Sequence, residues 1–440
     1  MKTKSTISRL GGAAISRRGL MLSAGAAGLA AASRPYGAFA AGPETTLTVG
    51  FISPRTGALG GFGETDGYIL ELARKALASG LKVGDKTFGV EILDRDTQSD
   101  PSRAGQLAKT LINSDKIDMM LVVSTPETIN PVADACEAAG VPCMSTVMPW
   151  EAWYFGRGAK PGQPSPFKWT YHFGFGGGEF YKTYVSQWNL IDTNKKVGVL
   201  YPNDADGNAI RENLAPALAK AGFTIIDPGP YEDGTTDFSA QIAKFKAEKC
   251  EIFNTFPIPP DFAAFWRQAA QQGYTKMVKI AQIAKTGLFP SQVTALGNLG
   301  FNLASAAYWH KAFPYKSSLT GVGGDELADG YEKASGKQWT QQLGASMSLF
   351  DAGFEALKAS GDPGAKPAVA KAMSTLKATT MIGKVDFTSG PVPNVSPGPI
   401  IGTQWVKAPA GSKFPLAYPT TENATDPNVP IEAKLRPFNS

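Results

Sequence analysis

Apolar and polar positions along the chain follow two patterns, short unbroken apolar runs and longer stretches with apolar residues at helical spacing. Residues 47–53, 119–123 and 141–147 are runs of the first kind. Between them, residues 101–112 place apolar side chains at intervals of three and four, after an Asp-Pro pair that favours a helix start. Unbroken apolar runs are typical of parallel strands covered by helices on both faces. The pattern therefore predicts alternating strands and helices.

The same rhythm restarts after an irregular stretch at 149–178 that is rich in aromatic residues, proline and glycine. Residues 196–201, 251–256 and 277–283 are predicted strands, with helical patterns between them. Two successive α/β units predict two lobes, each a parallel sheet covered by helices. Ligands in such folds bind at the carboxyl ends of the strands, so we expect a cleft where the lobes face each other.

Residues 1–40 have the features of an export signal. Ser16, Arg17 and Arg18 precede a weakly apolar segment rich in Ala and Gly, and residues 38–40 have the small-x-small form that a signal peptidase cuts after. We predict a twin-arginine signal peptide, cleavage after Ala40 and a periplasmic protein. The alternative is a cytoplasmic protein with a basic N-terminus.

Removal of that segment changes the charge balance. Six of the 43 basic residues lie in 1–40, which contain no acid, so 37 basic residues remain against 38 acidic ones. The whole-chain net charge of +5 therefore does not indicate a nucleic-acid partner. No later stretch has the roughly 18 consecutive apolar residues of a membrane helix. We predict a monomer that is neither bound to nucleic acid nor embedded in a membrane.

Groups suited to catalysis, metals or cofactors are sparse. The three cysteines, Cys136, Cys143 and Cys250, are expected to be buried thiols, with a bridge between the first two left open. His172 and His310 are the only histidines, and neither has a partner at zinc spacing. We predict no metal site.

A glycine run and two pairs of acids look like catalytic or cofactor motifs, but structural roles explain them better. Gly61 and Gly63 are followed by Gly67, one place too late for a dinucleotide fingerprint, so a tight turn near the cleft is expected. The acid pairs 94/96 and 204/206 suit capping and solvated charge better than glycosidase chemistry. We predict that the protein is not an enzyme and has no cofactor.

Five segments together resemble a known family. They are TVGFISPRTGALGGFGETDGYILELA, DRDTQSDPSRAGQLAKTLI, AGVPCMST, KVGVLYPNDADGNAI and TTDFSAQIAKFKAEKCEIFNTF. In this order and at these separations they resemble the leucine/isoleucine/valine-type periplasmic binding proteins of ABC importers. The resemblance implies two Rossmann-like lobes joined by a three-strand hinge, the type I periplasmic binding fold, closing around a small ligand.

The resemblance also implies how the chain is divided. After the signal at 1–40, residues 41–170 form the first part of lobe 1 and residues 171–303 form lobe 2. Residues 304–385 return to lobe 1, and residues 386–440 return to lobe 2 and end in a surface tail.

Candidate ligand residues follow from strand ends that the resemblance places in the cleft. Ser124 and Thr125 close a strand just before a helix, where hydroxyls and free backbone N–H groups can hold a carboxylate. Plain N-capping is the alternative for both. The resemblance places Thr146, Met148 and Trp150 at the same carboxylate.

Phe62 takes the place of an aromatic ring that covers the ligand in the family.

The second lobe departs from the family at the positions that bind an amino acid. The family holds the ligand ammonium with an acid near the position of Lys285, and this chain has no acid there. Asp206 stands where the family often has a tyrosine, and Phe256 and Ile258 occupy the remaining aromatic or tyrosine positions. Burying an unpaired ammonium costs several kcal/mol, so an ordinary aliphatic amino acid is disfavoured. Lys285, if it faces the cleft, would favour a second anionic group on the ligand, and exposure to solvent is its alternative.

A dense set of aromatic rings supports a different ligand. The rings are Trp150, Trp153, Tyr154, Phe155, Trp169, Tyr171, Phe173 and Phe175. They suit a flat ligand or a quaternary ammonium, or they anchor an irregular insertion to the lobe. We hypothesise an aromatic or apolar carboxylate as ligand.

Three functions stay open from the sequence. The first is a solute receptor that docks onto an ABC permease of the inner membrane. The second is a ligand sensor that feeds a signalling partner. The third, suggested only by the twin-arginine route, is an exported oxidoreductase.

Overall fold

The computed structural model describes residues 45–440, so the predicted signal peptide lies outside the described residues. The strands are β1 (Thr46–Ser53), β2 (Leu81–Val83), β3 (Lys86–Asp96), β4 (Met119–Val123), β5 (Cys143–Thr146), β6 (Thr170–Gly174), β7 (Lys196–Leu200), β8 (Thr224–Ile226), β9 (Ile252–Thr255), β10 (Ile280–Ile283), β11 (Leu303–Ala307), β12 (Lys377–Thr380), β13 (Gly383–Asp386), β14 (Val395–Pro397), β15 (Ile401–Lys407), β16 (Leu416–Ala417) and β17 (Thr420–Glu422).

The helices are α1 (Asp66–Ala76), α2 (Pro101–Asn113), α3 (Pro126–Ala139), α4 (Trp150–Tyr154), α5 (Gly177–Trp188), α6 (Ala205–Lys220), α7 (Ser239–Ala247), α8 (Pro259–Gln271), α9 (Pro290–Thr294), α10 (Gly324–Ser335), α11 (Gln342–Ala359) and α12 (Lys366–Ser374). Within residues 45–440, none of these helices combines the length and the apolar character needed to cross a bilayer.

The first lobe is built on a sheet with the strand order β14-β6-β5-β4-β1-β3-β2. Its strands run parallel except for the β2–β3 hairpin at one edge. All five residues of β4 are buried, as expected for a central parallel strand with helices on both faces. Helix α2 begins as its sequence predicts, with Pro101 in the first turn and the Asp100 carboxylate accepting the Arg103 N–H at 2.9 Å.

The second lobe is built on a sheet with the order β16-β15-β11-β10-β9-β7-β8, and β17 also pairs with β15. Strands β7 to β11 run parallel, whereas β15 is antiparallel to β11. The predicted α/β class with two lobes is confirmed.

Three segments connect the two sheets. The chain leaves the first sheet between β6 and α5, which packs on β15, and returns between β11 and α10. It crosses for the third time between β14 and β15. Because β14 still pairs with β6, the chain leaves the first sheet later than the boundary predicted at residue 386. The short strand after the β12–β13 hairpin carries no long apolar run, which is why sequence pattern missed it.

Helix α11, which is largely buried, holds the second connection and the β12–β13 turn through polar side chains. The Asp351 carboxylate accepts hydrogen bonds from Ser317 Oγ at 2.6 Å, from the Leu319 N–H at 3.0 Å and from the Met381 N–H at 3.3 Å. One turn earlier, Ser348 Oγ accepts the Ile382 N–H at 3.0 Å. Burial raises the pKa of Asp351 to about 7 despite these donors.

The second connection also packs directly on the backbone of α11. A Cβ atom on Gly344 would lie 2.0 Å from Cγ of Trp309, so the indole ring occupies the space of a side chain. Trp309 is fully buried and has little room to move.

Substitution of Gly344 by Ala should therefore destabilise the protein strongly. We expect a loss of about 3 kcal/mol or more in the free energy of unfolding, because the new methyl group overlaps a buried indole. Urea denaturation followed by circular dichroism measures this loss.

The matched control is Gly105→Ala in α2, where the nearest atom to the new Cβ is at 3.6 Å, an ordinary contact. That variant should be neutral or more stable by about 0.5–1 kcal/mol, because Ala is the better helix former. Equal effects of the two substitutions would refute the packing argument.

Candidate functional site

A small cavity with a volume of about 40 Å³ lies at the carboxyl ends of strands from both sheets. This volume is well below the roughly 300–1,000 Å³ of small-molecule sites, so the walls must move apart to admit an organic ligand. Its lining is Phe62, Thr125, Val147, Pro149, Phe175, Phe180, Asp206, Phe256, Ala284, Lys285, Leu288, Ala306, Tyr308 and Ile400. Both lobes and all three connecting segments thus contribute to one mostly apolar chamber.

Five of the ten residues predicted from the sequence line this cavity. They are Phe62, Thr125, Asp206, Phe256 and Lys285. Ile258 borders an adjoining opening that also contains Lys285, together with the acids Glu127, Asp204 and Asp233.

The other four lie close by in the described part of the chain, outside the lining. Ser124 and Thr146 are buried at the ends of β4 and β5, next to lining residues. Met148 belongs to the core between the first sheet and α3, and its carbonyl oxygen is 3.0 Å from Nε2 of His172. Trp150 is half-buried, and its indole nitrogen lies where a side chain on Gly176 would be.

Aromatic rings from separate parts of the fold form the apolar wall. Phe175 stacks on Tyr308 with centroids 5.4 Å apart, and Phe180 meets Phe256 edge to face at 5.2 Å. Phe175 and Phe180 contribute to this wall because the first connecting segment passes beside the cavity. The position of Tyr308, just after β11, was missed because a single tyrosine after a strand has no signal in the sequence.

Phe62 also joins the two lobes, since its ring meets Phe289 edge to face at 5.1 Å. A Cβ atom on Gly61 would lie 2.9 Å from the Phe289 ring, so glycine is needed for this close approach. The Gly60–Gly63 segment forms one 3₁₀ turn, in agreement with the predicted tight turn.

Most rings of the predicted aromatic cluster have a structural role. Trp153, Tyr154 and Phe167 pack together in the core between the first sheet and α3, and Trp153 stacks on His172. The Arg157 guanidinium lies 4.2 Å from the Phe167 ring centroid and pairs with Asp134. Of the eight predicted rings, Phe175 is the one in the cavity lining.

The charged wall is a buried lysine between two aspartates. Lys285 follows β10, and its Nζ lies 3.1 Å from Asp204 Oδ2 and 3.2 Å from Asp206 Oδ2. Burial alone would lower the pKa of Lys285, but the carboxylates of Asp206 and Asp204 outweigh it and raise the pKa well above the usual value. Lys285 therefore carries a positive charge, and its ammonium group is held by both carboxylates.

This pairing corrects the expectation for Lys285. The lysine was expected to attract a second anionic group on the ligand or to be exposed, yet it is buried and two acids compensate its single charge. Burial, only partly offset by Lys285, raises the pKa of Asp206 to about 6. The wall is thus net negative near neutral pH, with Asp233 and Glu127 beside it.

The opposite lobe presents hydroxyl groups without partners. Thr125 is the N-cap residue of α3 but makes no capping bond with its side chain. Among the described residues, the buried Oγ of Ser124 and Oγ1 of Thr125 have no hydrogen-bond partner. Simple capping, the alternative given for these residues, is therefore not what their hydroxyls do.

Two of the nine non-glycine residues with positive φ in the described part of the chain lie at the same strand ends. Ser124 has φ +133° and Val147 has φ +79°, values that disfavour residues with a side chain. Such strain persists where the surrounding structure enforces it, and it is common at binding sites.

A buried carboxylate joins the two lobes next to the first connecting segment. Oε1 of Glu151, in α4, accepts the Gly177 N–H at the start of α5 at 2.8 Å. Within residues 45–440, Oε2 has no partner. Burial raises the pKa of Glu151 to about 7, and the nearby carboxylates of Glu179 and Asp206 add to this increase.

The remaining titratable candidates are structural. His172 Nδ1 lies 2.9 Å from Ser145 Oγ, and burial lowers the pKa of this histidine to about 3. His310 Nε2 contacts the Tyr418 carbonyl oxygen at 2.6 Å. The three cysteines are buried free thiols, as predicted.

No cluster of potential metal ligands occurs within the described residues.

Comparison with known proteins agrees with this geometry. The profile of a family described as periplasmic binding protein matches residues 46–394. No protein with a curated description matches the sequence significantly.

Several solved structures share the fold at low identity. A solute-binding protein of an ABC transporter from Rhodopseudomonas palustris BisB5, in complex with 3,4-dihydroxybenzoic acid, is 19% identical with a TM-score of 0.68, covering 87% of this chain and 99% of its own. A second R. palustris solute-binding protein, in complex with 4-hydroxybenzoate, is 16% identical with a TM-score of 0.68, covering 89% and 98%. A branched-chain amino acid binding protein from Streptococcus pneumoniae, in complex with isoleucine, is 16% identical with a TM-score of 0.65, covering 86% and 99%.

Replacement of Ser124 by Gly should stabilise the protein. Glycine adopts φ +133° without a steric penalty, and the change removes a buried hydroxyl, so we expect a gain of about 1 kcal/mol in the free energy of unfolding. Ser124→Ala removes the hydroxyl but keeps the strain, and it should gain less. If Ala stabilises the protein as much as Gly in urea denaturation, backbone strain is not the cause.

Glu151→Gln should weaken the pH dependence of stability. The folded-state pKa of about 7 lies above the ordinary glutamate pKa of 4.5, so between these values the folded protein keeps a proton that the unfolded chain has released. The contribution of Glu151 to the free energy of unfolding therefore falls as the pH rises from about 4.5 to about 7 and stays low above that.

Urea denaturation between about pH 5 and pH 8 measures the difference between wild type and variant. Roughly 1–3 kcal/mol of the wild-type decrease should disappear in Glu151→Gln. Glu212→Gln, which changes an exposed acid of α6, is the control and should follow wild type. A Glu151→Gln curve parallel to wild type would show that this carboxyl is not responsible.

Proposed function

The chain belongs to the periplasmic binding protein family, and from this membership we propose that it is the solute receptor of an ABC importer. It works in the periplasm as a monomer, closes its two lobes on a small organic ligand and delivers that ligand to a permease in the inner membrane. The twin-arginine signal predicted for residues 1–40 supplies the export route. Closure on the ligand is the conformational change that a permease can recognise.

One observation carries the proposal, the mostly apolar cavity between the lobes with aromatic walls and few polar groups. Such a chamber is typical of a small-molecule binding site, in which a few polar groups fix the orientation of the ligand. Elements of both lobes line it, so a ligand inside contacts both at once and favours the closed arrangement.

We propose an aromatic or otherwise apolar carboxylate as the ligand. The free hydroxyl of Thr125, in the cavity lining at the start of α3, provides a donor for the carboxylate, and the positive end of the helix dipole favours it. The rings of Phe175, Phe180 and Phe256 provide an apolar wall for the remainder. Two structural neighbours are complexes with hydroxybenzoates, which have this combination of groups.

An amino acid is the competing candidate for the ligand, because the carboxylate of Asp206 can accept hydrogen bonds from an ammonium group. The sequence argument against an ammonium group relied on a missing acid near Lys285, whereas Asp206 brings a carboxylate into the lining.

A thermal-shift screen of residues 41–440 tests the proposed function. The panel contains amino acids, aromatic acids, amides and quaternary amines, and calorimetry follows for each class that binds. A ligand that binds only the folded state raises the melting temperature, and we expect this rise with benzoate-type acids. Tight binding of leucine with no binding of benzoate-type acids would refute the proposed ligand class.

Thr125→Val extends the same test to the carboxylate position. Valine keeps the shape but removes the hydroxyl, so acid affinity should fall roughly tenfold or more. Thr128→Val, a buried change in the same helix outside the cavity lining, is the control and should retain the wild-type affinity.

A further inference from the structure

In the charged wall formed by Lys285, Asp204 and Asp206, one carboxylate oxygen has no hydrogen-bond partner among the described residues. Asp206 lines the cavity and is 6% exposed, and its Oδ2 is held by Lys285 at 3.2 Å. Its other oxygen, Oδ1, is buried and has no hydrogen-bond partner anywhere in residues 45–440. A carboxylate oxygen in this situation can only accept, so it requires a donor.

Lys285 and Asp204 fix the position of that oxygen. Asp204 caps α6 by accepting the Gly207 N–H at 2.5 Å, and its other oxygen holds Lys285 at 3.1 Å. Lys285 in turn bonds Oδ2 of Asp206. The three side chains form a chain of charge-assisted bonds that ends in the free Oδ1 at the cavity wall.

The same arrangement excludes a second anion. The positive charge of Lys285 is already balanced by the carboxylates of Asp204 and Asp206, so it does not attract another anion. Two more acids, Asp233 and Glu127, border the adjoining opening. A negative group placed against Asp206 would meet like charge in a largely water-free space.

We propose that Asp206 is a specificity-determining residue that accepts a hydrogen bond from the ligand, which therefore carries a hydroxyl or amino donor at the end away from its carboxylate. This inference rests on the proposed function and narrows its ligand class to monoanionic acids with a donor. Lys285 and Asp204 are positioning residues that hold Asp206 in place. A ligand without the donor leaves a buried carboxylate oxygen unpaired, which is costly.

Calorimetric titration with four acids of similar shape tests this inference on the wild-type protein. The acids are 4-hydroxybenzoate, 4-aminobenzoate, 4-methoxybenzoate and terephthalate. We expect the first two to bind roughly tenfold to a hundredfold more tightly than 4-methoxybenzoate, which has an oxygen but no donor. Terephthalate, with a second carboxylate, should bind most weakly.

Asp206→Asn tests the named residue. The amide can donate as well as accept and carries no charge, so the preference for the hydroxyl over the methoxy compound should shrink and terephthalate should gain affinity. Asp233→Asn removes an acid of the adjoining opening that is outside the cavity lining, and it should keep the wild-type ratios. Circular dichroism and the melting temperature establish that each variant is folded.

Each result discriminates between the two proposals. Wild-type binding of all four acids with equal affinity overturns the role of Asp206 but leaves the receptor for aromatic acids intact. Wild-type ratios that persist in a folded Asp206→Asn variant overturn it as well. Absence of binding for every acid overturns the proposed ligand class, and this inference with it.

Discussion

The structure depends on a small set of buried polar contacts along α11. This helix is almost entirely enclosed, yet Asp351 binds a backbone N–H group of the second connecting segment, and Asp351 and Ser348 bind two more in the β12–β13 turn. Connecting segments cannot form sheet hydrogen bonds, so their buried N–H groups need side-chain acceptors. One helix of the first lobe thereby anchors the second connecting segment and the β12–β13 turn to the same buried core.

That placement explains the composition of the site. Strand ends from both sheets meet around the cavity, and each sheet contributes a different chemistry. The first lobe contributes free hydroxyls and strained backbone at Ser124 and Val147, whereas the second contributes Lys285 with its two acids. Aromatic rings close the space between them and keep water away from both polar walls, which strengthens every electrostatic interaction there.

Much of the fold could be predicted because it depends on local patterns. The apolar run of β4 and the Asp-Pro start of α2 are visible in the sequence, and the structure has both. The short strand β14 was missed because its three residues have no periodic pattern to detect, and its place in the sheet comes from pairing with β6.

The site was predictable only in part for a related reason. Phe62, Thr125 and Phe256 could be named because they follow strands or glycine turns that the family resemblance aligned. The contacts of Lys285 could not, since its partners lie some eighty positions earlier in the chain and only the sheet order brings them together. Val147 and Tyr308 have ordinary sequence surroundings, and tertiary packing alone makes them part of the cavity.

The fit of the Trp309 indole against Gly344 has a consequence for the divergence of related chains. The two positions share one volume, so neither can change freely while the other stays as it is. Over evolutionary time, a side chain at the position of Gly344 can be accepted only after the ring at the position of Trp309 has become smaller. The two positions should therefore covary among relatives, and glycine paired with tryptophan marks the chains that keep this way of joining the lobes.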